Sequence, residues 1–331
     1  MNCFSFFSAP DADAAIEAKS RNSRAAFIAG GTNILDLMKE NVSRHDTLID
    51  INRTGYNDIS ETPEGGVFIG ALATNADTAY HSLIETRYPL LSHAILAAAS
   101  PQIRNMASNG GNLLQRTRCY YFYDTATPCN KRTPGEGCSA IQGFNRNLAI
   151  LGTSEHCIAT HPSDMCVALA ALGAQVLVRG AAGQRYIPFS EFHKLPEDTP
   201  HIDTTLADDE MILGIELPAM GFAANYKYLK VRDRASYAFA LVSVAAAFEL
   251  QAGVIKEARI ALGGVAHKPW RDNEAEAFLS GKLLNDENVG KAADIILREA
   301  RGFGANDFKI KLARRALLRA CRDAAVMGGS L

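Results

Sequence analysis

The run from Ala26 to Ile51, AFIAGGTNILDLMKENVSRHDTLIDI, changes its apolar period twice. It is continuous over AFIAG, helical over TNILDLMKEN and continuous again over TLIDI, which predicts a compact β-α-β unit over residues 26 to 49. Gly30 and Gly31 stand where strand gives way to helix. There the glycines remove side chains that would block close approach and leave backbone N–H groups free for a phosphate. Thr32 and Asn33 add polar hydrogens without adding charge. The stretch suits a diphosphate or a plain tight turn, and it lacks the G-x-G-x-x-G order of a Rossmann site.

A second double glycine occurs in SNGGN, from Ser108 to Asn112, again beside hydroxyl and amide side chains. Its Asn109-Gly110 pair is also a hairpin signal. Between the two, GVFIGA from Gly66 reads as a strand, TNADTAYHSLIE and PLLSHAILAAAS read as helices, and Pro101 stops the second of these. Further on, Ser163 caps a helix, SDMCVALAALGA, followed by the strands QVLVRG and MILGIELPA. Asp164 at that helix start is placed to accept bonds from ligand hydroxyls or simply to favour the dipole. The chain changes domain around Pro218 to Phe222. Beyond lie strands over YKYLKVR, FALVSVAAAFEL and EARIALGGVA, then helices from about Asp272, an α+β layer of their own. KVRDR, from Lys230 to Arg234, reads as a solvated strand edge, with Lys230 able to offer charge to an electron-rich ring.

Four of the seven cysteines fall in one polar, Pro/Gly-rich segment, at Cys119, Cys129, Cys138 and Cys157. Such a segment reads as a long surface excursion. None of the four forms the close C-x-x-C pair of a structural zinc site, whereas wide spacing suits a loop wrapped around an iron–sulfur cluster. Incidental thiols or one or two disulfides remain the other reading. Arg116, Arg118, Lys131, Arg132 and Arg146 would favour thiolates, and Tyr120, Tyr121, Phe122 and Tyr123 would exclude water. His156 is placed beside Cys157 as a donor or an ordinary loop residue. Cys166 sits among apolar neighbours on a core helix, and Cys3 and Cys321 have no companions.

A net charge of −2 over 331 residues gives no field to draw in nucleic acid or anionic membrane. No apolar run approaches the length of a membrane span, and the N-terminus carries no export signal of its own, so cytoplasm is the plain expectation. Hydrolase, zinc-protease and P-loop signatures are absent, which points to chemistry borrowed from a cofactor.

FIAGGTNILDLMK, IRNMASNGGNLLQ, HPSDM, KVRDRASYAFALVSVAA and ALGGVAHKPWR together resemble the FAD-binding subunits of molybdenum-containing hydroxylases, over nearly the whole chain. RTRCYYFYDTATPCNKR is most similar to the FAD subunits of periplasmic aldehyde oxidoreductases, which carry an extra [4Fe–4S] cluster; a related loop occurs in 4-hydroxybenzoyl-CoA reductase. The resemblance implies a vanillyl-alcohol-oxidase-like FAD domain over 1–221, in two α/β subdomains (about 1–60 and 61–221) with a cysteine-rich insertion at 118–158. A carbon-monoxide-dehydrogenase-flavoprotein-like α+β domain would cover 222–331. FAD would lie on Phe27, Ile28, Ala29, Gly30, Gly31, Thr32, Asn33, Ile34 and Leu35 and on Ser108, Gly110, Gly111 and Asn112. Asp164 would take the ribityl chain, and Lys230 would lie near the ring. Cys119, Cys129, Cys138 and Cys157 would hold the [4Fe–4S] cluster.

The activity implied is electron transfer. A molybdenum-cofactor subunit oxidises an aldehyde, a [2Fe–2S] subunit relays electrons, and FAD on this chain passes them to an acceptor. That arrangement implies a heterotrimer exported to the periplasm with a signal-bearing partner. A stand-alone FAD oxidase and a purely structural cysteine clamp are the rivals.

Overall fold

The computed structural model describes residues 1–327. Strands β1 (Ser5–Ser8), β2 (Ala25–Ile28) and β3 (Thr47–Asp50) form a parallel sheet in the order β1-β3-β2. Parallel neighbours need crossovers, supplied by the helices Ala12–Ser20 and Ile34–Lys39. Asp11 starts the first by accepting from the Ala14 N–H at 2.8 Å. The predicted β-α-β unit is therefore the second half of a larger one, whose short first strand the sequence reading did not assign.

Strands β4 (Ile59–Glu61), β5 (Val67–Gly70), β6 (Gln175–Gly180), β7 (Gly183–Pro188) and β8 (Met211–Leu217) form an antiparallel sheet in the order β4-β5-β8-β6-β7. All the helices between β5 and β6 are one long excursion from this sheet. Two expectations for them are corrected. The helix expected from Thr74 to Glu85 breaks at His81, whose backbone is extended, giving Asn75–Tyr80 and Ser82–Arg87. Pro101 does not stop a helix but opens one. The preceding helix, Pro89–Leu96, has already ended, and Ser100 caps Pro101–Arg104 with Pro101 at its first position, where the missing N–H costs nothing.

Strands β9 (Asn225–Val231), β10 (Val242–Gln251), β11 (Val254–Gly263) and β12 (Trp270–Arg271) form the third sheet, antiparallel in the order β12-β11-β10-β9. The near-continuous apolar run VSVAAAF in β10 is explained by burial on both faces. Val242, Val244, Ala246 and Phe248 pack with Ala313, Leu317, Ala320 and Ala324 of the final helix, Phe308–Met327. Ala245 and Ala247 face the other way, into the core that holds the helix Asp164–Leu172. On β9 the same alternation turns Tyr226 and Tyr228 toward that helix, and it sets the position of Lys230, two residues on. Among the described residues no helix is long and apolar enough to cross a membrane.

Candidate functional site: glycine cradle and cysteine pocket

The first glycine loop meets the chain that leads into the second. A side chain on Gly30 would place its Cβ 1.7 Å from the Met106 carbonyl oxygen, so the first loop lies directly on the chain entering the second. Gly31 takes the left-handed conformation at φ 71° that carries the chain from β2 into its helix. Ile34 and Leu35 pack with Ile28, Met38 and Leu48, and Phe27 and Ala29 pack against the first-subdomain core. These flanking side chains hold the loop, and what they leave toward solvent is backbone. Among the described residues the N–H groups of Gly30, Gly31, Thr32 and Asn33 donate to no protein acceptor. The buried Asn33 Nδ2 is likewise unpartnered, while its Oδ1 accepts from the Arg116 N–H at 2.9 Å.

The second loop is a helical turn, Asn109–Leu113, rather than a hairpin, with Ser108 Oγ accepting from the Gly111 N–H. A buried amide relay fixes it. Asn112 Nδ2 donates to Asn75 Oδ1 (2.7 Å), Asn75 Nδ2 to Asn109 Oδ1 (3.0 Å), and Asn109 Nδ2 to Thr78 Oγ1 (2.7 Å). Each amide presents one donor face and one acceptor face, so such a relay fixes orientation as well as position.

Ser163 caps its helix as predicted, accepting from the Cys166 N–H, and donates its hydroxyl to Asn112 Oδ1 at 2.6 Å. That bond places Asp164 beside the second loop. The Asp164 carboxylate accepts from Lys230 Nζ at 2.8 Å and from the Tyr228 hydroxyl at 2.6 Å, with the ion pair almost fully buried. Lys230 therefore does not sit on a solvated edge. The strand alternation that buries Tyr228 turns Lys230 inward too, and Nζ donates additionally to the Ala97 carbonyl.

The segment expected to be a surface excursion instead has a small core of its own. Cys119, Cys129 and Cys157 are buried with Phe122, Ala140, Leu148 and Ile158, and Cys138 is half-buried. The four cysteines line one pocket together with Tyr121, Phe122 and Lys131. Cys129 and Cys138 sit opposite each other in an antiparallel bridge. Backbone N–H groups point at the sulfurs: Phe122 and Tyr121 toward Cys119, Ala140, Ile141 and Ile158 toward Cys138, and Ala159 toward Cys157. Burial pushes Cys119 up to about 11 against its amide donors. A hydrogen bond from Cys157 lowers Cys138, and its counterpart pushes Cys157 well up.

Most of the expected cations do other work. Arg118 is bonded to Asp36 and Tyr123, Arg132 to the carbonyls of Tyr121, Phe122 and Asp124, Arg146 to Asp233, and Arg116 to Asp203. Lys131, itself bonded to Asp203, is the one whose charge bears on Cys157. Of the aromatic run only Tyr121 and Phe122 wall the pocket; Tyr120 is exposed, with its ring tilted against Phe144. His156 lies out by Asp198, and His267 takes the place beside Cys157, with Nε2 3.3 Å from Sγ. Nothing in local sequence marked His267, which lies 110 residues from Cys157.

A cavity of about 160 Å³ separates pocket and cradle, lined by Arg116, Lys131, His161, His193, Asp203 and His267. Burial holds all three histidines below their ordinary value, His193 at about 4, so they are neutral. His193 donates Nε2–H to the Leu113 carbonyl at 2.8 Å. Among the described residues, only His161, Cys166 and His193 bring three ligand atoms within 4.8 Å of one another. The surroundings disfavour a cation there: Lys131 repels positive charge at His161, and burial holds Cys166 at about 12 as a neutral thiol. Cys166 is thus a core residue.

Residues 2–220 match the family described as the FAD binding domain in molybdopterin dehydrogenase, and residues 225–324 the CO dehydrogenase flavoprotein C-terminal domain. The chain belongs to the FAD-binding subunits of the molybdenum hydroxylases. Among its relatives is the aldehyde oxidoreductase FAD-binding subunit PaoB of Escherichia coli K12, 48% identical over 95% of each chain. The glyceraldehyde dehydrogenase medium chain of Sulfolobus acidocaldarius is 30% identical over 86% of this chain and 84% of that one. The fold is shared with the solved carbon monoxide dehydrogenase from Hydrogenophaga pseudoflava, at TM-score 0.77, 24% identity and 98% of both chains. Quinoline 2-oxidoreductase from Pseudomonas putida 86 gives TM-score 0.76 at 22% identity, over 99% of this chain and 98% of that one. This FAD-binding chain fits its cofactor: the cradle offers uncharged N–H donors, an unpartnered amide at Asn33, and a close approach that a Cβ at Gly30 would prevent.

Proposed function

We propose that this chain is the electron-transferring FAD subunit of a molybdenum-containing aldehyde oxidoreductase. The carrying observation is that Asp164 and Lys230, the charged groups tied to the cradle, are locked in a buried ion pair, leaving neither free as a base for an organic substrate. The 48% identity to an aldehyde oxidoreductase FAD-binding subunit supports the same reading. FAD bound in the cradle would supply the redox chemistry, taking electrons from one partner and passing them to another. The chain's own residues bind and orient it. The loop from Phe27 to Leu35 and Ser108, Gly110, Gly111 and Asn112 hold the diphosphate, Asp164 receives the ribityl hydroxyls, and Lys230 places its charge by the ring. The FAD domain covers 1–221, with subdomains meeting near residue 60 and the cysteine insertion at 118–158, and the C-terminal domain covers 222–331.

The second part of the proposal is a [4Fe–4S] cluster on Cys119, Cys129, Cys138 and Cys157. It is supported by the four sulfurs lining one pocket, the backbone N–H groups aimed at them, and the absence of any close C-x-x-C pair among the four. The partners are a molybdenum-cofactor large subunit and a [2Fe–2S] small subunit, and the compartment is the periplasm, reached by co-export with a signal-bearing partner.

The test is anaerobic co-purification with both partners, followed by flavin and metal analysis. The expected result is one FAD per copy of this chain and about four irons more than the [2Fe–2S] subunit accounts for. Aldehyde should bleach the flavin in the complex and leave it oxidised in the isolated chain. Bleaching of the isolated FAD-loaded chain would establish a stand-alone oxidase instead. A complex with no more iron than the [2Fe–2S] subunit accounts for, and whose cysteine-to-serine variants assemble poorly, would make the segment a docking clamp.

A further inference from the structure

We propose that His267 is a positioning residue for the cysteine-held centre: a hydrogen bond from its Nε2–H to Cys157 Sγ raises the reduction potential of a cluster bound there. The inference rests on the [4Fe–4S] reading above. In this structure Cys157 Sγ stands in for a cluster-bound thiolate, which has no proton and can only accept. The 3.3 Å contact is then a bond donated by Nε2. The ring's tautomer follows, with Nδ1 bare, buried and without a protein partner. Hydrogen bonds to cluster sulfurs are among the levers that set iron–sulfur potentials, because a donor stabilises the more negative, reduced form.

His267 is held where it is by bonds that do not involve the cluster. The turn after β11 that carries it accepts from the N–H groups of Ile150 and Leu151 at the Val265 carbonyl and from His161 at the Ala266 carbonyl. Lys309, fully buried, donates to the Gly264 carbonyl at 2.5 Å. Gly264 takes φ 71°, and a Cβ on it would come within 2.8 Å of the Ala240 carbonyl oxygen. A ring anchored this way by the C-terminal sheet meets Cys157 as a preformed donor. Among the described residues, His267 is the one side chain outside the four cysteines that hydrogen-bonds to any of their sulfurs. The remaining donors are backbone amides, which substitution leaves in place.

The experiment is a redox titration of the whole complex, prepared anaerobically, with the cluster followed by electron paramagnetic resonance. His267→Phe keeps the ring and removes the donor, and is expected to lower the cluster potential while iron and FAD stay at wild-type content. His267→Gln retains an N–H donor at the corresponding position and is expected to restore most of the shift. Equal potentials in His267→Phe and wild type would overturn the inference, as would a glutamine variant no different from phenylalanine. If His267→Phe loses its iron, the wild type decides alone. With ¹⁵N-histidine incorporated, the reduced cluster should show weak hyperfine coupling to an imidazole nitrogen, and its absence would overturn the role. A wild-type complex with no more iron than its [2Fe–2S] subunit accounts for would instead remove the cluster reading itself, a result visible before any variant is made.

Discussion

Gly30→Ala tests the proposed FAD cradle where the first glycine loop lies against the chain entering the second. The added methyl would lie 1.7 Å from the Met106 carbonyl oxygen and 2.7 Å from its carbon. Ordinary Cβ contacts begin at 3.4 Å, so the shortfall is 3.4 − 1.7 = 1.7 Å. The obstacle is main chain, which cannot rotate away as a side-chain tip can, so the loops must separate by that order. Overpacking of this kind costs about 1–3 kcal/mol, and at about 1.4 kcal/mol per decade it weakens FAD roughly fivefold to somewhat over a hundredfold if the strain falls on the bound state. The assay is a flavin-fluorescence titration of apo chain, with thermal unfolding measured in parallel. Gly290→Ala serves as control, because its Cβ meets only Arg314 Nη2 at 3.4 Å on a C-terminal-domain helix. A Gly30→Ala chain that binds FAD like wild type with unchanged unfolding would refute the account of the cradle as two loops in backbone contact.

Lys230→Met leaves the Asp164 carboxylate buried with only Tyr228 as partner, and breaking such a pair costs about 3–5 kcal/mol, read as a fall in unfolding temperature. The double variant Asp164→Leu/Lys230→Met should lose less than the single one, and a larger loss would count against the ion pair as the cause. His193 is held by burial at about 4 and so is neutral when folded, whereas unfolded it titrates near 6.5. Its contribution is fully present above about pH 6.5 and is lost as pH falls toward 4, with a slope of at most about 1.4 kcal/mol per pH unit. His193→Gln, which keeps a donor for the Leu113 carbonyl, should therefore narrow the stability gap between pH 5 and pH 7 in denaturant titrations.

Features whose physical requirement falls on adjacent residues were legible in the chain. A backbone that must approach another backbone needs glycine at that position, so AGGTN marks itself at Gly30. A helix start favours a side-chain acceptor for its free N–H groups, so Ser163 does too. Strand period separated β2, β3, β5, β6 and β8–β11 but not the short β4 and β12, and β1 and β7 were missed because SFFS is exposed along its length and GQRYIP is exposed at all but one position. Neither presents a buried face for the period to report.

Side-chain partnerships were not legible, because their members lie far apart in sequence. Lys230 is 66 residues from Asp164 and His267 is 110 from Cys157. The cations near the cysteines were given to the thiols on proximity alone, yet Arg116 and Lys131 reach Asp203, 87 and 72 residues on, and Arg146 reaches Asp233. A long side chain is claimed by the nearest opposite charge in space, and that geometry is set only when β9, the turn after β11 and the cysteine segment pack together. The sequence by itself therefore determined the backbone chemistry of this protein: where main chain is bared, capped or turned, and which thiols are available. Only the tertiary structure decided which charges are neutralised, which imidazole meets a sulfur and which pocket the thiols share, since each depends on distances that close only after the sheets have packed.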